Sequence, residues 1–241
     1  MYKQVALTDV NSLGPIAWSN IIKKVCRSLS YGELKVGQVA TVLDEAMAHA
    51  SSVQAEDILK LAVRLARQGS LGDVRPVPEW FHSRGHHKEA VRLAVVLAKT
   101  HAETLPASRL AEGYLRARQW HYAAELGAAL VVHKPMEAKQ IASTLLSEKG
   151  YDSTSKVSVR RIAAAFALAG DINYAATLVR QLAKKLKNTL SVLTWMAAEM
   201  TQMHGGTEAL RKLVAVLPQG TWKKPGPAML MEGVLETVAG A

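Results

Sequence analysis

Seven cations, Lys156, Arg160, Arg161, Arg180, Lys184, Lys185 and Lys187, crowd one stretch of this chain in which Asp171 is the single acid. Helical spacing puts Arg180, Lys184 and Lys187 on a shared face. Ammonium and guanidinium groups arrayed in this way neutralise phosphate oxygens and release counterions, so the chemistry they suit is contact with a polyanion. Trp222 stands beside Lys223 and Lys224, an arrangement that stacks on a base while the ammoniums meet the backbone. Each group also has a plainer reading, a solvated helix face for the first and an aromatic closing the last hairpin for the second.

Catalytic and metal chemistry find little purchase. His82, His86 and His87 are the one histidine cluster, yet Gly85 interrupts the helix that would align the first two, and no cysteine lies nearby to complete a metal site. Surface or turn histidines are expected. No phosphate-binding GxxxxGK[ST] loop, G-x-S-x-G elbow or H-E-x-x-H pair occurs, so neither an enzyme nor a cofactor or metal is expected. Cys26 is the only cysteine. That excludes an internal disulfide and a cysteine-built zinc site. Its neighbours Ile21, Ile22, Val25 and Leu29 predict a buried, inert thiol.

The 241 residues carry a net charge of +10, are 49% apolar and only 5% aromatic. Such a chain folds, and its alanine, leucine and valine suit closely packed helices. The positive field biases it toward RNA, DNA or acidic surfaces. No apolar run reaches the roughly 20 residues that span a bilayer, so no membrane insertion is expected. The start, MYKQVALTDVNSLG, shows no signal-peptide core.

The elements that position these residues are announced by a recurrence. A large residue is followed nine positions later by alanine in Phe81/Ala90, Tyr114/Ala123, Phe166/Ala175 and Met200/Ala209, with Ala46/Ala55 as a weak fifth copy. The stretch from Leu110 aligns without a gap on that from Ile162, placing Tyr114 over Phe166 and Tyr122 over Tyr174. Stacked helical hairpins produce this pattern, because neither face of one hairpin is buried until the next is added. The spacing predicts helices over 16–29, 38–49 and 53–67, a loop or a kinked entry over 69–78, and hairpins 79–84 with 88–101, 107–117 with 120–133, 156–169 with 172–186, and 191–203 with 208–217. Residues 135–149 are an extra helix, with Pro135 in its first turn. The expected fold is all-α, an α-solenoid of antiparallel helical hairpins. It divides into an N-terminal helical unit (1–70), a repeat array (71–220) and a capping helix (221–241).

In Leu110-Ala111, Tyr114, Ala123 and Pro135 the array is similar to tetratricopeptide repeats. In Phe166-Ala-Leu-Ala-Gly170 and Tyr174-Ala175-Ala176-Thr-Leu178 it resembles pentatricopeptide repeats, and the likeness covers roughly residues 75–217. Pentatricopeptide proteins read RNA with a polar residue on the first helix of each repeat, and the matching positions here are Arg75, Ser108, Arg160 and Thr194. The arginines suit phosphate contact better than base reading. The resemblance implies a non-enzymatic structural subunit of an RNA-containing assembly, a mitochondrial ribosome or organellar RNA-processing complex, contacting RNA phosphates and neighbouring proteins. A mitochondrial location goes with it. The alternative that the tetratricopeptide likeness implies is a protein–protein adaptor with no RNA role, its charge engaging an acidic peptide.

Overall fold

The computed structural model describes residues 14–51, 53–147, 153–186, 189–203 and 205–217, and all regular structure among them is helical. The chain divides into two compact units, Met1–Pro106 and Ala107–Ala241.

In the first unit, α1 (Pro15–Ser30) begins after Gly14 with proline in its first turn, where a missing N–H is no loss. Together with α2 (Val36–Ala48) it packs on α3 (Ala55–Arg67). The α3 helix is the centre of this unit. Ile58, Leu61, Ala62 and Leu65 recur at helical spacing and are fully buried. Of the two forms that its glycines and prolines allow, segment 69–78 takes the kinked entry rather than the open loop. It folds into α4 (Leu71–Val74) and leads directly into α5 (Val77–Ser83). Burial of Val74 and Val77 holds it against the core, and α4 packs on α3. The unit therefore continues past residue 70 through α6 (His87–His101), which packs on both α3 and α5.

The boundary falls in the first turn of α7 (Leu105–Arg116), and the second unit continues with α8 (Trp120–Leu130), α9 (Pro135–Ser147), α10 (Ser153–Leu168), α11 (Ile172–Leu186), α12 (Thr189–Met200) and α13 (Gly206–Val216). The added helix α9 is present, and it seats Ile141, Ala142 and Leu145 among α8, α10 and α11.

The nine-residue spacing has a backbone cause. In the three aromatic copies the N–H five residues on donates to the carbonyl of the aromatic: His86 to Phe81 (2.9 Å), Gln119 to Tyr114 (2.9 Å) and Asp171 to Phe166 (3.0 Å). Inside it, Gly85, Arg118 and Gly170 donate to the carbonyls of His82, Leu115 and Ala167. This paired 6→1 and 5→2 closure ends a helix with a left-handed residue, and φ is +79°, +56° and +91° at those three positions. The fifth residue then caps the next helix. Its carbonyl accepts the first intrahelical bond from the alanine four residues later, from Ala90, Ala123 and Ala175. Five residues of turn plus four of helix make nine.

Leu65 opens a further copy of the first half, with Val74 nine residues on. Ser70 donates to Leu65, Gly69 donates to Ala66, and Gly69 has φ +84°. At the Met200/Ala209 pair the second half is present, with Ala209 donating to Gly205.

Arg118 is the one non-glycine among these left-handed turn positions, and its Cβ crowds its own carbonyl there at a cost of roughly 1–2 kcal/mol. Replacing Arg118 with glycine is expected to raise stability by about 1 kcal/mol, the entropy of the unfolded glycine offsetting the rest. Gly170→Ala should lower it by a similar amount. Urea titration of the two variants checks the opposite signs.

Candidate functional site

The candidate cations fall into three groups. The first group is already neutralised. Arg75, at the end of α4, donates from Nε to Glu103 at 3.0 Å. Arg161, on α10, donates to Glu125 of α8 at 3.0 Å and lies 3.6 Å from Glu199 of α12. That guanidinium ties three helices together. A phosphate would have to displace these carboxylates, so both arginines are poorer polyanion contacts than their sequence positions suggest.

The second group is engaged in other ways. Arg160 on α10 is half-buried, with its guanidinium 4.1 Å from the ring centre of Trp195 on α12, a cation–π stack. Burial lowers its pKa, and nearby Glu199 opposes that shift. Thr194 is half-buried beside Trp195. Ser108 on α7 donates its hydroxyl to Glu137 of α9 at 2.5 Å. That bond, with help from Lys134 at 3.1 Å, holds the Glu137 carboxyl below its usual pKa despite burial. The inserted helix thus occupies the Ser108 hydroxyl.

The third group is available. Arg180 and Lys184 are exposed one turn apart on α11 and have no ion-pair partner among the described residues. Lys185 is on α11 with its side chain outside the described residues, as is that of Lys156 on α10. Lys187, Trp222, Lys223 and Lys224 also lie outside them.

Residues beyond that stretch contribute as well. Lys139 of α9 pairs with Asp171 at 3.0 Å and sits 4.5 Å above the Tyr174 ring, which holds α9 to the α10–α11 turn. The Asp171 carboxyl is depressed, first by the bond from Lys139 and also by the Tyr174 N–H at 3.2 Å. A depressed carboxyl stabilises the fold above its unfolded pKa and loses that contribution as pH falls through the folded value.

In the first unit a groove of about 250 Å³ lies between α3 and α6. Leu59, Val63 and Val96 supply its apolar surface, while Glu56, Lys60, Arg64 and Arg92 edge it. The sequence does not announce this groove, because its cations come from helices about thirty residues apart and make no run. Trp195 was missed too, since one tryptophan in an apolar helix carries no signal of exposure.

The His82 and His87 rings are 5.1 Å apart, and burial, then the charge of His87, lowers the His82 pKa. No three potential metal-ligating side chains converge among the described residues. Cys26 is half-buried rather than buried, and desolvation raises its thiol pKa, which keeps it protonated. No described helix is long and apolar enough to cross a membrane. No protein-family model, curated protein or solved structure matches the chain.

Proposed function

We propose that this chain is a non-enzymatic, tetratricopeptide- or pentatricopeptide-like solenoid that serves as a structural subunit of an RNA-containing assembly, a mitochondrial ribosome or organellar RNA-processing complex. The observation that carries the reading is the turn repeated after Phe81, Tyr114 and Phe166, one hairpin geometry reused along a strongly basic chain. Hairpins of one geometry stack into extended surfaces for neighbours. Arg180 and Lys184, open on α11, supply phosphate contacts, and Lys185 and Lys187 extend the same stretch. Neutralised Arg75 and Arg161 argue for backbone contact over a narrow face and against base reading along the whole array.

Filter binding of the full chain to single-stranded RNA tests this. Affinity should fall steeply between about 50 and 200 mM salt. Arg180→Glu/Lys184→Glu should weaken binding at least about tenfold at the lower salt, since it reverses two contacts. RNA binding that is indifferent to both changes overturns the assignment of this face. Affinity purification with RNase asks about the assembly. Partners that all stay attached, none of them an RNA-bound protein, favour the adaptor instead.

A further inference from the structure

We propose that the groove between α3 and α6 docks an acidic amphipathic helix from a neighbouring protein. The inference does not depend on RNA binding by α11. Its surface combines two chemistries. Half-buried Val63 and Val96 flank the edge of buried Leu59 as an apolar strip, while Arg64, together with Lys60 paired to Asp57 and Arg92 paired to Glu56, leaves the rim net positive.

The acids nearby are already committed. Glu56 is bound to Arg92 at 2.7 Å, and buried Asp57 lies 3.4 Å from Lys60. Arg64 therefore has no ion-pair partner among the described residues. Helical spacing continues the positive faces to exposed Arg67 on α3 and Lys99 on α6.

Arg64 with exposed Arg67 and Lys99 selects an acidic partner by charge complementarity, and the apolar strip selects its form. A nucleic acid presents phosphates but no aliphatic side chain for Leu59, Val63 and Val96. A helix with leucines at i, i+4 and i+7 and glutamates on either side supplies both, in the manner of helix-in-groove recognition. Electrostatic attraction then steers the encounter, and burial of the leucines holds the complex.

Fluorescence anisotropy of the full chain in about 150 mM salt tests the proposal, where surface charge acts over only a short range. Three labelled molecules are compared: the acidic leucine-bearing peptide, its Leu→Ser version, and a single-stranded RNA of equal charge. The leucine peptide should bind saturably, and the serine version at least about tenfold more weakly. Arg64→Glu and Val96→Asp should each weaken the leucine peptide by at least about tenfold. Lys60 and Arg92 are left intact because they neutralise Asp57 and Glu56. Arg180→Glu/Lys184→Glu should leave peptide binding unchanged, which separates this site from the RNA reading.

Circular dichroism establishes that each variant keeps its helices. If Val96→Asp does not fold, Arg64→Glu and the two peptides still decide the matter. Equal binding of both peptides, no saturable peptide binding, or displacement of the peptide by RNA in a manner sensitive to Arg64→Glu alone would overturn the proposal.

Discussion

Phe166→Ala is expected to lower the unfolding free energy by about 3–5 kcal/mol, the cost of removing a large buried aromatic and leaving a cavity. Phe166 is 1% exposed. Its ring meets Tyr174 edge-on with centroids 4.7 Å apart, and Ala175 beside it is fully buried. Nothing close by can collapse into the space, because the turn behind it is fixed by the bond from Asp171 to the Phe166 carbonyl. For a chain of this size roughly 2–4 °C of Tm is lost per kcal/mol, so the melting temperature should fall by about 10 °C. Tyr174→Phe is the control. It removes one 3.4 Å bond to the Lys139 carbonyl from a half-buried hydroxyl, and about 1 kcal/mol or less should be lost. If thermal and urea unfolding give the two variants similar losses, the aromatic is not the anchor of the α10–α11 hairpin.

The helical architecture was legible because its signals are local. Aromatic-to-alanine spacing, Gly170-Asp171 and the extra helix after Pro135 each lie within one turn or hairpin, and nearest-neighbour backbone chemistry sets them. The Leu65/Val74 copy was not legible. Leucine and valine at those places look like any core pair, less distinct in sequence than even the weak Ala46/Ala55 match. For a related reason composition alone does not decide between a loop and a kinked entry over segment 69–78. Its prolines forbid a long helix, but two short ones end and begin around them, and burial of Val74 and Val77 outweighs the composition.

Charge was the least legible property, because a sequence lists cations without their partners. Arg161 finds Glu125, 36 positions away, and Arg75 finds Glu103, 28 positions away. Neither carboxylate belongs to the same element as its arginine. The same long-range folding places Arg92 beside Glu56 and brings Val96 to the groove edged by Lys60 and Arg64. A run of lysines is visible on the page, whereas a groove assembled from two helices is not.

Gly127→Leu should destabilise the second unit by about 3 kcal/mol, at the upper end of what overpacking costs. Gly127 is buried in α8. A Cβ built there would lie 3.0 Å from Ile162 Cδ1 of α10 and 3.1 Å from Ile141 Cγ2 of α9. Glycine inside a helix costs close to 1 kcal/mol relative to alanine, so this position gives up intrinsic stability to let three helices converge. Gly127→Ala therefore sits near balance. The propensity gain opposes a few tenths of an ångström of movement by two isoleucine side chains, and a net change within about 1 kcal/mol is expected. Leucine cannot be accommodated that way and should push α9 outward. Separation of α9 would also strain its Lys139–Asp171 and Glu137–Ser108 links. Faster hydrogen exchange across 135–147 than across α13 would localise the damage. Ile141→Ala in the Gly127→Leu background should recover part of the loss although it is destabilising alone, a coupling expected only of side chains that compete for one space. A leucine variant as stable as the parent, or strictly additive losses in the double variant, would mean that α8, α9 and α10 do not meet at this glycine.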